Sequence, residues 1–128
     1  MSKHIGKKVL LIVEDDESMR KALTDVFSRE KLNVLETGDG QVGLMMALEK
    51  HPDLVLLDVM VPSMNGITIL QNLRKDDWGK KAKVVLLTNL SSMDTIAKAI
   101  ELGSYEYILK TDVSVEDIVD KVKGILNK

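Results

Sequence analysis

The stretch DLVLLDVMVPSMNG, residues 53–66, breaks an apolar run abruptly at a carboxylate. Leu54, Val55, Leu56 and Leu57 read as a strand covered on both faces, because no polar residue alternates with them. Asp58 therefore leaves the core at the strand's carboxyl end. Pro62 and Gly66 keep the next segment out of regular structure until a helix begins at about Ile67, with Leu70 and Leu73 inward. Taken alone, Asp58 reads as a cap or turn residue. The rest of the chain reverses that reading.

Upstream, Val9 to Val13 is an apolar run that stops at Glu14-Asp15-Asp16, and a helix follows with Met19, Ala22, Leu23, Val26 and Phe27 on one face. Asn33 to Thr37 reads as an edge strand. After Gly38-Asp39-Gly40 comes a helix carrying Val42, Met45, Met46 and Glu49 at helical spacing, closed by His51-Pro52. Downstream, a charged loop containing Trp78 leads to Val84-Val85-Leu86-Leu87, which stops at Thr88. Ser91 is the expected cap of a helix with Met93, Ile96, Ala97 and Ile100 on one face, ended by Gly103. The last strand, Tyr105 to Leu109, stops at Lys110. Ser114 then caps a helix whose apolar face runs through Val115, Ile118, Val119, Val122, Ile125 and Leu126.

Five alternations of strand and helix predict an α/β fold: a doubly wound five-stranded parallel sheet in the flavodoxin-like order 2-1-3-4-5, with helices on both faces. At 128 residues the chain reads as a single domain, 1–128, with Met1 to Lys7 a frayed lead-in and no output domain. The absence of cysteine excludes thiol chemistry and a disulfide framework, and with no signal peptide or long apolar run a cytoplasmic location is expected. A formal charge of -2 and no long basic block argue against direct nucleic-acid binding.

Every buried strand ends on a polar residue, namely Glu14 and Asp15, Asp58, Thr88 and Lys110. In a parallel sheet these ends share one edge. The strand order reverses between the first and third strands, so Glu14, Asp15 and Asp58 should line the crevice where ligands bind in such sheets. Carboxylates so close together either raise a pKa or recruit a cation, and an all-oxygen set favours Mg²⁺. Lys110 and Thr88 complete an anion site. The set suits a carboxylate nucleophile attacking phosphorus.

With VLLIVEDD, LVLLDVMVPSMNG, LLTN and the lysine of YILK in this order, the chain resembles, essentially end to end, the receiver domain of bacterial two-component response regulators. The resemblance implies Asp58 as phosphoacceptor, Glu14 and Asp15 as the acidic pair serving Mg²⁺, and Met60 as the donor of a backbone carbonyl to the metal. It implies Thr88 as switch hydroxyl, Lys110 as the phosphate-binding lysine and Tyr107 as switch aromatic. The implied partners are a sensor histidine kinase or phosphotransfer protein, and a downstream protein on the face of helix four, strand five and helix five. A monomer or a phosphorylation-dependent dimer is expected.

Three features depart from the family pattern. Lys110 is followed by Thr111 where proline is usual. A cis bond before a non-proline residue costs about 2.5 to 4 kcal/mol, so a trans Lys110-Thr111 peptide is expected. Asn89 is bulkier than the usual small residue. Met60 and Leu90 are apolar at positions that influence water attack on the acyl phosphate, which predicts a drier mouth and a longer phosphoryl lifetime.

Asp16 and Asp112 read as helix-entry and turn residues, the seven methionines mostly as core filler, and His51 and Trp78 as residues of the opposite edge. A haloacid-dehalogenase-type phosphatase would need Asp where Met60 stands, and a flavin module would need a glycine-rich loop in place of Glu14-Asp15. A phosphorylation-independent interaction domain on the same scaffold is the remaining alternative.

Overall fold

The computed structural model of the chain describes residues 7–89, 93–103, 106–110 and 113–127. Five strands, β1 (Val9–Val13), β2 (Asn33–Thr37), β3 (Leu54–Asp58), β4 (Val84–Thr88) and β5 (Glu106–Leu109), form one parallel sheet in the order β2-β1-β3-β4-β5. The helices between and after them are α1 (Glu17–Ser28), α2 (Gly40–Lys50), α3 (Gly66–Leu73), α4 (Met93–Glu101) and α5 (Val115–Leu126). The doubly wound order expected from the alternation is the one observed.

Strand periodicity divides the core in two. Leu10, Ile12, Leu54 and Leu56 face Leu23 and Phe27 of α1 and Ile118, Val122 and Ile125 of α5. Leu11, Val13, Val55 and Leu57 face Ala47 of α2, Ile69, Leu70 and Leu73 of α3, and Ala99 of α4. Central strands β3 and β4 are buried along their whole length, as two-sided coverage requires.

Two helices seat themselves differently from their apolar pattern. On α2 the buried residues are Gly40, Gly43 and Ala47, whereas Val42 and Met45 are exposed, Met45 by 62%. The helix lies so close to β1 that a Cβ on Gly43 would stand 2.7 Å from Val13 Cγ2, so only small residues fit at that crossing, and Leu44 and Met46 pack, partly buried, against the core. Among the described side chains of α4, Ala99 is buried, while Ala97 is exposed and Ile100 is 62% exposed. Of the methionines among the described side chains, Met19, Met46 and Met64 pack, partly buried, against the core, and Met45 and Met60 are exposed. The expected cap Ser91 and the side chains of Met93 and Ile96 lie outside the described residues, as does Tyr105.

Helix ends are chemically marked. Asp16 caps α1 by accepting from Ser18 N (3.0 Å) and Met19 N (3.3 Å). Ser114 and Asp117 form a reciprocal capping box on α5. His51 ends α2 in the left-handed region at φ 49° and stacks on Trp78 with ring centroids 4.6 Å apart, at the amino-terminal edge of the sheet. Arg74, at the end of α3, donates to the carbonyls of Gly79 (2.6 Å), Ala82 (2.9 Å), Leu102 (2.7 Å) and Gly103 (2.7 Å), joining α3, the turn before β4 and the end of α4.

The loop from β3 to α3 is held tightly against its surroundings. Gly66 N donates to Val59 O (2.9 Å), Gly40 N donates to Pro62 O (3.0 Å), and Ser63 Oγ donates to Asp39. A Cβ on Gly66 would stand 2.8 Å from both Asp58 O and Val59 Cα, and backbone cannot yield as a flexible side chain would. Gly66→Ala should therefore cost about 1–3 kcal/mol of stability, read as a lowered urea midpoint. A midpoint equal to wild type would mean that the loop has slack.

Candidate functional site

Each residue of the candidate site arrives at the carboxyl edge because an apolar strand delivers it there. Glu14 follows β1, with its amide on Thr37 O of β2 (3.0 Å). Asp58 closes β3, Thr88 closes β4, and Lys110 follows β5. Glu14, Asp58 and Thr88 are buried polar residues in an otherwise apolar core, and Asp15 beside them is exposed.

The lysine crosses β4 to reach the two carboxylates. Its Nζ lies 2.8 Å from Asp58 Oδ2 and 2.6 Å from Glu14 Oε1. Asp58 Oδ1 accepts from Met60 N at 3.0 Å, and Glu14 Oε2 accepts from Asp16 N at 2.9 Å. Glu14 Oε1 is paired with the ammonium by charge but is off line for a hydrogen bond, so it remains a buried oxygen without a hydrogen-bond donor among the described residues.

Burial pushes the Glu14 carboxyl up to about 7, against the opposing pull of Lys110 and of the Asp16 amide, and the neighbouring Asp58 pushes the same way as burial. For Lys110, burial opposes the charged form, but the hydrogen bond to Asp58 and the negative charges of Asp58 and Glu14 outweigh it and raise its pKa.

Carboxylate oxygens of Glu14, Asp15 and Asp58 all lie within 4.8 Å of one another. This donor set is oxygen only, with Glu14 and Asp58 buried and Asp15 exposed beside them, which fits a hard cation that keeps part of its water. The cluster can therefore hold a metal ion.

Of the other residues singled out in the sequence, Asp16 is committed to capping α1. Met60 contributes its amide to Asp58 while its side chain is 60% exposed. Tyr107 is 38% exposed on β5, and Asn89 is exposed. Leu90, Thr111 and Asp112 lie outside the described residues, and with them the Lys110-Thr111 peptide. Two supports carried no local signal: Arg20, which donates to Glu14 O, and the Asp39–Ser63 contact beneath the β3–α3 loop. Glycine at 38 and 40, followed by another at 66, was the available hint of crowding.

With the geometry established, comparison with known proteins assigns the class. Residues 10–123 match the family model of the response regulator receiver domain, and the chain belongs to that family. It is 32% identical over 117 residues to sporulation initiation phosphotransferase F of Bacillus subtilis, spanning 91% of this chain and 92% of that protein. It is 34% identical over 119 residues to the DNA-binding response regulator MtrA of Mycobacterium tuberculosis, spanning 93% of this chain and 50% of that one. The chain thus spans about half the length of several curated relatives it matches. Among solved structures, the BeF3-activated N-terminal receiver domain of Klebsiella pneumoniae RstA has a TM-score of 0.82 at 26% identity, with 94% of this chain and 100% of that one covered. Receivers of this family are phosphorylated on aspartate. No helix among the described residues is long and apolar enough to cross a membrane.

Burial of the Glu14 carboxyl couples its proton to folding. The folded state binds this proton more tightly than the unfolded state, so its contribution is complete below about 4.5 and is lost as pH rises through about 7. In chelator, wild type should lose stability relative to Glu14→Gln across that window, by at most about 3 kcal/mol. Parallel pH profiles of urea denaturation for the two proteins would refute this.

Proposed function

We propose that this chain is a phosphorylation-activated receiver that accepts a phosphoryl group on Asp58 from a sensor histidine kinase or a phosphotransfer protein, and that phosphorylation switches a protein-interaction surface. The observation that carries the reading is the convergence of Lys110 on Asp58 and Glu14, with Asp15 beside them, at the edge where the strand order reverses. Membership of the receiver family supports it.

Asp58 is the nucleophile. A carboxylate oxygen forms the new P–O bond as the P–N bond of the donor phosphohistidine breaks, and the imidazole keeps the electron pair and takes up a proton. Met60 N holds Asp58 Oδ1 in place during attack. Lys110 already stands at Asp58 Oδ2, and turns one of its N–H donors to a phosphoryl oxygen when that group arrives. Thr88, buried at the end of β4, donates its hydroxyl to the same group. Glu14, Asp15, Asp58 and the Met60 carbonyl are the proposed holders of Mg²⁺, which when bound supplies the positive charge that lets an anionic nucleophile approach a phosphate.

The switch is a shift between two populations, so the phosphorylated form must favour the active one by several kcal/mol to act decisively. Thr88 and Tyr107 relay the change to the face of α4, β5 and α5. Ile100 and Tyr107 are exposed there, available to a downstream protein. The chain acts as a regulator, although it catalyses both transfer to Asp58 and hydrolysis at it.

Intact mass after incubation with acetyl phosphate tests the chemistry. Wild type with Mg²⁺ should gain one phosphate, chelator should abolish the gain, and Asp58→Asn should show none. Lys110→Ala should slow the gain about 10²-fold or more. An equal gain by Asp58→Asn, or one indifferent to chelator, would overturn the assignment.

A further inference from the structure

On the reading just proposed, the structure assigns Arg20 of α1 the role of a positioning residue that aims the Glu14–Asp15 acidic pair. Arg20 Nη1 donates to Glu14 O at 2.8 Å, and its Nε is paired with Glu36 Oε1 of β2 at 2.7 Å. The carbonyl of Glu14 belongs to the peptide that joins Glu14 to Asp15. A peptide is planar, so fixing this carbonyl fixes the plane from which both Cα atoms project. The other face of the turn is fixed as well, because Glu14 N donates to Thr37 O at 3.0 Å.

Asp15 has most need of such support. Its carboxylate is exposed, and among the described residues no hydrogen bond or ion pair holds it, so its aim is inherited from its backbone. Glu14, by contrast, is also gripped through its side chain, by Lys110 and by Asp16 N.

Gly38, after β2, completes the arrangement. A Cβ there would stand 2.6 Å from Arg20 Nη1 and 3.5 Å from Asp15 Cα, so any side chain would press the guanidinium away from the carbonyl. The planar fork of arginine donates in two fixed directions at once, to Glu36 and to Glu14 O. The single ammonium of lysine is a point charge and does not reproduce that fork. Groups that orient the residues holding a metal commonly change its affinity about 10- to 100-fold when removed.

The test compares wild type with Arg20→Lys, Gly38→Ala and Glu36→Gln. Mg²⁺ affinity is read by titration calorimetry, amide hydrogen exchange at Asp15 and Asp16 is read in chelator, and urea denaturation monitors global stability. Arg20→Lys and Gly38→Ala are expected to weaken Mg²⁺ binding about 10-fold or more and to speed exchange at Asp15 and Asp16, with exchange in β3 and β4 unchanged. A purely structural ion pair would lower the urea midpoint without altering the Mg²⁺ affinity of the folded protein. Folded Arg20→Lys with wild-type affinity and wild-type exchange overturns the inference. Should Arg20→Lys fail to fold, Glu36→Gln, which leaves the arginine in place, decides by the same exchange readout. Wild type that binds no Mg²⁺ would sink the functional reading instead, and the exchange comparison would still decide whether Arg20 holds the turn.

Discussion

Glu14 and Asp58 are buried at the ends of two adjacent strands, and two carboxylates so placed repel one another and are costly to hold in their charged forms. What makes the arrangement tolerable is one ammonium group. Lys110 reaches over β4 and stands within 3 Å of both. Desolvation works against all three groups, and their mutual attraction repays it only while all three stay together. The rest of the molecule can be read as the scaffold that keeps them there.

That scaffold is apolar and two-sided. Because β1, β3 and β4 are buried by helices on both faces, their registers cannot slip by one residue without turning side chains onto the wrong layer. Register fixes where each strand ends, and the ends carry the polar groups of the candidate site. The loops then need their own restraint, since no hydrophobic burial places them. Asp39, Ser63, Gly40 and Gly66 hold the loop after Asp58, and Ser63 sits in the left-handed region at φ 73°, a conformation that costs a non-glycine residue and is kept by its bond to Asp39.

The legibility of this molecule follows from where its information lies. Strand positions and the polar residues that end them were readable, because a four- or five-residue apolar run followed by a carboxylate, hydroxyl or lysine is a local signal. The parallel order followed from alternation and length. The seating of α2 was only partly readable, because the residues it buries fully are glycine and alanine, which carry no hydrophobic signal, while of its expected apolar face Met46 packs against the core and Val42 and Met45 are exposed. Likewise Arg20 looks like any helix-surface cation in the sequence. Only the approach of β2 and of Gly38 turns it toward a backbone carbonyl, and such contacts between distant segments are invisible to periodicity.

Charge accounting explains why a site this crowded is useful rather than merely costly. With Glu14, Asp15 and Asp58 ionised against Lys110, the cluster carries three negative charges and one positive, a deficit of two that a divalent cation would offset. Near neutral pH the raised Glu14 partly relieves the deficit by holding a proton. A phosphoryl group on Asp58 would add negative charge at the one point where Lys110 is already committed. The lysine cannot serve Asp58, Glu14 and a phosphate equally, so the resting ion cluster and the phosphorylated one compete for the same ammonium. A site whose cohesion depends on one shared cation would be held in one arrangement without the ligand and drawn toward another with it, which is what the proposed two-state switch requires.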